Sequence, residues 1–157
     1  GYSIYEIDEV SKLKTLGLPI HNLQVPENVM DGRLRNSETL MGLSQEGCVI
    51  YVRSLFLQGL LSYRTLQSDL NVSSELRRLI NIFNSHCLEF GLEPAIVALK
   101  YFHTLPWARY AVIGCDSVEQ LKENFRVLDS PSLPHELFDS FPKLPPSLVD
   151  PRKWGGS

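Results

Sequence analysis

The sequence predicts an α/β fold in which parallel strands alternate with helices, part of a TIM-type (β/α)8 barrel. Three observations carry that prediction. Stretches with helical apolar spacing alternate with short apolar runs, in the order helix, strand, helix, strand, two helices, strand, helix. The apolar runs are continuous, as in strands buried on both faces. The chain has 157 residues and three such runs, or four with an end at Gly1, whereas a complete barrel takes about 250 residues.

Each element has a local reason. Ile7 to Leu16 carries apolar residues at 7, 10, 13 and 16, with Asp8 and Glu9 in the first turn where the helix dipole favours acids and Gly17 as the stop. Ile20 to Val25 is a short strand before Pro26. Asn36 to Gln45 is a second helix ending near Gly47, and Cys48 to Val52 the most continuous apolar strand. Ser73 to Phe90 places Leu76, Leu79, Ile80, Phe83, Cys87 and Phe90 on one helix face, with Ser73 or Ser74 as cap and Gly91 as terminator. Glu93-Pro94 opens another helix running to about His103, since proline suits a first turn, and Pro106 breaks it. Tyr110 to Ile113 is a strand, and Ser117 starts a helix with Val118, Leu121, Phe125 and Leu128 on one side.

Residues 1–130 form the barrel portion. Residues 131–157 carry six prolines between Pro131 and Pro151 and read as an extended tail packed on it, with one short helix near His135 to Phe141.

Composition is that of an ordinary globular protein, 43% hydrophobic and 21% charged. A net charge of -3 without a basic run gives no reason to expect a nucleic-acid partner. No apolar run approaches the roughly 20 residues of a membrane helix, and the start has no signal-peptide pattern. Cys48, Cys87 and Cys115 are widely spaced, so reduced thiols and a cytoplasmic setting are expected.

Common catalytic signatures are missing. There is no G-x-S-x-G, H-E-x-x-H, P-loop or G-x-G-x-x-G. His21, His86, His103 and His135 are scattered, and adjacent His86 and Cys87 cannot share one metal, so no metal site is expected. Two stretches carry other chemistry. In Val52 to Leu61, Arg53 and Ser54 stand where strand becomes loop, within reach of a phosphate, and Gly59 lets backbone approach a ligand. In Arg109 to Asn124, a strand ends at Gly114 and Ser117 caps a helix at once, an anion-binding arrangement. Gln120 and Asn124 share a face of that helix, where neither is needed for packing, and can grip a polar heterocycle. An ordinary loop and an ordinary βα turn are the alternatives.

Together these pieces resemble the aldo/keto reductase family. The segments are "GYSIY" at 1–5, "LQVPEN" at 23–28, "RSLFLQGLL" at 53–61, "VIGCDSVEQLKEN" at 112–124 and "DPRKW" at 150–154. The resemblance covers nearly the whole chain and implies the C-terminal half of the barrel. It implies an NADP or NAD cofactor across the barrel mouth and a small-molecule carbonyl substrate: an aldehyde, ketone or sugar. By motif, Ser3 and Gln24 would hold the carboxamide. Arg53 takes the place of the aromatic that stacks on the nicotinamide. Ser54, Phe56 and Gly59 would line the pyrophosphate. Gly114, Asp116 and Ser117 would surround the ribose 2′ position, and Gln120 and Asn124 would contact adenine. Ile4 and Leu55 depart from the usual Asn and Pro. Asp116 would repel a 2′-phosphate and accept from a 2′-hydroxyl, which weakens NADP preference. The family's Tyr, Lys, Asp and His come from the first half of the barrel, so this chain is expected to supply no catalytic residue and to be inactive alone. The expected partner is that missing N-terminal half, or a second copy. The alternative is a non-catalytic half-barrel that binds nucleotide or a partner chain.

Overall fold

A computed structural model describes residues 1–62 and 72–154. Four parallel strands form one sheet in the order β1-β2-β3-β4. They are β1 (Tyr2–Ser3), β2 (Asn22–Pro26), β3 (Val49–Arg53) and β4 (Tyr110–Ala111). The helices are α1 (Asp8–Thr15), α2 (Glu38–Gln45), α3 (Ser74–Glu89), α4 (Pro94–Lys100), α5 (Val118–Asp129) and α6 (His135–Asp139). Strand neighbours in sequence are thus neighbours in the sheet, each pair joined by at least one helix, as the alternating pattern requires. No helix among the described residues is long and apolar enough to cross a membrane.

Caps fix where the helices start. Ser37 accepts from Leu40 N–H at 3.3 Å before α2, and Ser73 from Leu76 N–H at 3.2 Å before α3. Gly17 and Gly91 follow α1 and α3 in the left-handed region, at φ 65° and 66°. The helix expected from Glu93 to His103 is α only to Lys100, and Tyr101–Thr104 tightens into a 3₁₀ turn.

The core lies between the sheet and its helices. Leu23, Val25, Ile50 and Val52 face it, with Leu40, Leu43, Ile80, Phe83, Val97 and Ala98 from α2, α3 and α4. The other face is different from expectation. β3 alternates buried and half-buried positions rather than being covered on both sides. The register aligns Ser3 with Gln24, Gln24 with Tyr51, and Tyr51 with Tyr110, all on this second face. The Tyr51 and Tyr110 rings pack on each other at 5.3 Å. Side chains alternate across a strand, so a second covering layer would be needed to bury this row.

Two helix faces also differ. On α3, Phe90 is 51% exposed while the other five expected residues are buried, because Phe90 is the C-cap, where the helix ends. On α5, Val118, Leu121 and Phe125 are 60%, 41% and 59% exposed, and Asn124 and Val127 are buried instead. The helix packs on α4, and its apolar stripe is left uncovered.

The segment after α5 folds back over the domain. Phe138, Phe141, Leu144 and Val149 are buried. Leu144 N–H donates to Met30 O at 2.7 Å, and Arg35 pairs with Asp139 at 2.5 Å. The last residues of the expected tail, 155–157, lie outside the described residues.

Candidate functional site

The C-terminal ends of the strands carry two groups of polar residues. The first group lines a cleft of about 470 Å³ between the loop after β3 and the turn after β4. The cleft is lined by Ser54, Leu55, Phe56, Gln58, Gly59, Ser62, Val112, Ile113, Gly114, Asp116 and Gln120. Six of these, Ser54, Phe56, Gly59, Gly114, Asp116 and Gln120, are sequence-predicted site residues from two stretches far apart in the chain.

The loop side is tightly wound. Ser54, Leu57 and Gln58 have φ of 65°, 46° and 56°, and Gly59 has 86°. A non-glycine residue in the left-handed region costs about 1–2 kcal/mol. Burial of Leu55, Leu57, Leu60 and Leu61 offsets that strain and anchors the loop. Hydrogen bonds from Leu57 N–H to Ser54 O (2.8 Å) and Leu61 N–H to Phe56 O (3.1 Å) close it.

The turn side is closed by a reciprocal pair like a capping box, but reaching one residue before the N-cap. Ser117 Oγ accepts from Gln120 N–H at 3.1 Å, and Gln120 Oε1 accepts from Asp116 N–H at 2.7 Å. Asn124 lies beneath, buried, its Nδ2 donating to Cys115 Sγ at 3.3 Å. The expectation that neither Gln120 nor Asn124 is needed locally is therefore corrected: Gln120 closes the helix start and Asn124 supports the turn. Of the two, Gln120 lines the cleft. Ser117 is turned to its capping role.

Gly114 is not explained by the turn. Its φ is not positive, and a Cβ built there would meet nothing within 4 Å. The chain itself thus tolerates a side chain at 114, a position that lines the cleft. Asp116 is exposed and is the only charged residue lining the cleft among the described residues.

The second group sits at the ends of β1 to β3. Ser3 Oγ donates to Gln24 Oε1 at 3.3 Å, as their paired register allows. Arg53 does not enter the cleft. Its guanidinium leans across β2 toward β1, donating to Ile4 O and to Ser54 Oγ, both at 3.4 Å, and lies 4.2 Å from the centre of the Tyr5 ring. Arg152, from the end of the chain, lies over the same ring at 3.2 Å. Asp150 holds Arg152 in a fork, Nε to Oδ1 at 2.9 Å and Nη2 to Oδ2 at 2.7 Å, and this pairing holds the Asp150 carboxyl below its usual range.

Tyr5, Asp150 and Arg152 were missed as site residues. Each lies inside a quoted motif, but the contact joins opposite ends of the chain and no spacing reveals it. Glu27, fully buried after β2, was also missed. It accepts from the N–H groups of Gly32 and Leu34, both at 2.7 Å, and of Asn28 at 3.0 Å, and clasps the loop. Burial, then the charge of Asp31, push its carboxyl up to about 8.

Comparison with known proteins agrees with this architecture. The family model described as "Aldo/keto reductase family" matches residues 1–144. Among curated proteins none matches the sequence. Solved structures with the same fold include the holo form of the aldo-keto reductase AKR11C1 from Bacillus halodurans. It has a TM-score of 0.66 at 21% identity, over 90% of this chain and 50% of that one. The glycerol dehydrogenase AKR11B4 from Gluconobacter oxydans gives 0.61 at 14% identity, over 90% and 46%. This chain thus spans about half the length of these structures. The parallel βα architecture matches half of their (β/α)8 barrel, and the chain belongs to the aldo/keto reductase family.

Proposed function

We propose that this chain is the cofactor-binding half of a nicotinamide-dependent oxidoreductase that reduces an aldehyde, ketone or sugar carbonyl. One observation carries the reading. The cleft gathers six residues expected to hold the cofactor, from two stretches far apart in the chain.

The residues present suit a dinucleotide with a free 2′-hydroxyl. Asp116 accepts from a hydroxyl and repels a 2′-phosphate, and no basic residue lines the cleft among those described to offset it. NAD is therefore preferred over NADP. Phe56 offers an apolar wall, Gly59 and Gly114 offer backbone approach, and Ser54 offers a hydroxyl. Ser3 and Gln24, hydrogen-bonded to each other, present polar atoms at the strand ends for a carboxamide. The cofactor supplies the hydride when bound, and this chain orients it. Donation of the proton falls to residues outside this chain, in the N-terminal half of the barrel.

The test is titration of the protein with NADH and NADPH, followed by cofactor fluorescence. Saturable binding, with NADH at least as tight as NADPH, is expected. Failure of both to bind refutes the reading, and NADPH binding a hundredfold tighter refutes the preference for NAD.

A second reading has its own observation. Tyr110 and Val112, at the edge strand β4, and Val118, Leu121 and Phe125, on α5, are all at least two-fifths exposed. Exposed apolar surface of this kind marks an interface. On this reading the chain is a non-catalytic half-barrel that covers the edge with a partner chain or a second copy. Light scattering distinguishes them: a well-behaved monomer that binds NADH counts against the second reading.

A further inference from the structure

Arg53 is the charged group at the strand ends that the cofactor cleft leaves unexplained. It stands on the last residue of β3, half-buried, and turns away from the cleft toward β1. Its two hydrogen bonds are long, 3.4 Å each, and both acceptors are neutral. No carboxylate of the described residues lies within ion-pair distance of it. Arg152 shares the Tyr5 ring with it but has Asp150 as a counter-charge. Glu9 is held nearby by the N–H groups of Tyr5 and Glu6, at 2.8 and 2.9 Å, and its charge acts on Arg152. The mouth therefore has two stacked guanidiniums, one compensated and one not.

A half-buried guanidinium without an anion gives up hydration and gets back only weak neutral acceptors. Its five donors form a planar fork that fits a carboxylate or a phosphate. The Tyr5 face fixes the plane of that fork, and Arg152, locked on the same ring, limits where Tyr5 can move. Ser54 Oγ beside it is a further polar group of the same wall.

We propose that Arg53, presented on Tyr5, binds an oxyanion, and that the carbonyl substrate carries such a group, a carboxylate or a phosphate. The word "substrate" rests on the oxidoreductase reading; the anion site itself does not. Arg53 is not among the residues lining the cleft, so the oxyanion proposed is a group other than the cofactor's pyrophosphate, and competition with NADH tells the two apart.

The experiment is calorimetric titration of the chain with oxalate and with inorganic phosphate, in the wild type, Arg53→Lys and Arg53→Met, with circular dichroism to verify folding. NADH is titrated into each. The expected result is binding of at least one anion, weakened about tenfold or more in Arg53→Met and by less in Arg53→Lys, which keeps the charge and loses the fork. Anion binding to the wild type persists at saturating NADH, since Arg53 is not among the residues lining the cleft. Tighter oxalate binding assigns a carboxylate substrate, and tighter phosphate binding a phosphorylated one. Three results overturn the proposal: no anion binding to the wild type, anion binding unchanged in Arg53→Met, or competition between the anion and NADH for the wild type. Anion binding that depends on Arg53 in a chain that never binds NADH upholds the anion site and refutes the cofactor reading instead.

Discussion

Gly114→Ala separates a glycine kept for the fold from one kept for a ligand. Gly114 has no positive φ, and an added Cβ has no heavy atom within 4 Å. The folded state thus has neither a conformational nor a steric reason to resist alanine. The unfolded chain loses freedom, so the variant should be more stable by about 0.4–1 kcal/mol. Gly114 lines the cleft, where the proposed dinucleotide would lie against its backbone. A ligand lying against the backbone there must shift, at a cost of the size seen for overpacking, about 1–3 kcal/mol. That corresponds to roughly 5- to 150-fold weaker NADH binding. Urea denaturation gives the first quantity and NADH fluorescence the second. Destabilisation beyond about 1 kcal/mol, outside the range expected of a position without strain, would show that the turn itself needs glycine. Unchanged NADH binding would remove the ligand from this wall of the cleft.

Other expectations follow from the same geometry. Asp116→Asn removes the one charge lining the cleft and should shift the NADPH to NADH affinity ratio toward NADPH by about tenfold, read in paired titrations. Ser117→Ala removes the cap of α5 and should cost about 1 kcal/mol. Combining it with Gln120→Ala should cost less than the sum, because the two side chains form one reciprocal pair; urea midpoints of the three variants test this. Burial, then the charge of Asp31, push the Glu27 carboxyl up to about 8, so the folded state holds its proton where the unfolded chain has lost it. Its contribution to stability is full below about pH 4.5 and falls as pH rises toward 8, by at most about 1.4 kcal/mol per pH unit. Urea midpoints between pH 5 and 8 should decline more steeply in the wild type than in Glu27→Gln; equal slopes would place the Glu27 carboxylate in its ordinary range.

Local signals were readable and contacts between distant segments were not. The start of α3 is legible because Ser73 caps within three residues, and the cleft is legible because each wall is one strand-to-loop junction. The helical spacing of Val118, Leu121 and Phe125 predicts a stripe, but its burial depends on what packs against that face of α5, which spacing does not encode. The same holds for the second face of β3: its residues are apolar enough for two-sided burial, yet only the helix side is covered. Gln120 and Asn124 read as free polar groups because a side-chain bond to backbone or to sulfur leaves no mark on composition. Tyr5 and Arg152 meet only through the fold-back of the whole segment after α5.

Ser54 divides the site. Arg53 is the last residue of β3, and Ser54, next to it, has φ 65°. In continued extended backbone, successive side chains alternate between the two faces of the sheet, and the loop would leave along the strand. The left-handed residue turns the chain sharply instead. Arg53 then leans over β2 toward Tyr5, while Ser54 begins the wall of the cleft beside β4. A serine there costs about 1–2 kcal/mol that glycine would not. Glycine would relieve that strain but remove the hydroxyl, which is the cleft's polar group nearest to Arg53. The strain is thus the physical cost of a sharp turn between Arg53 and the cleft, and burial of Leu55, Leu57, Leu60 and Leu61 offsets it.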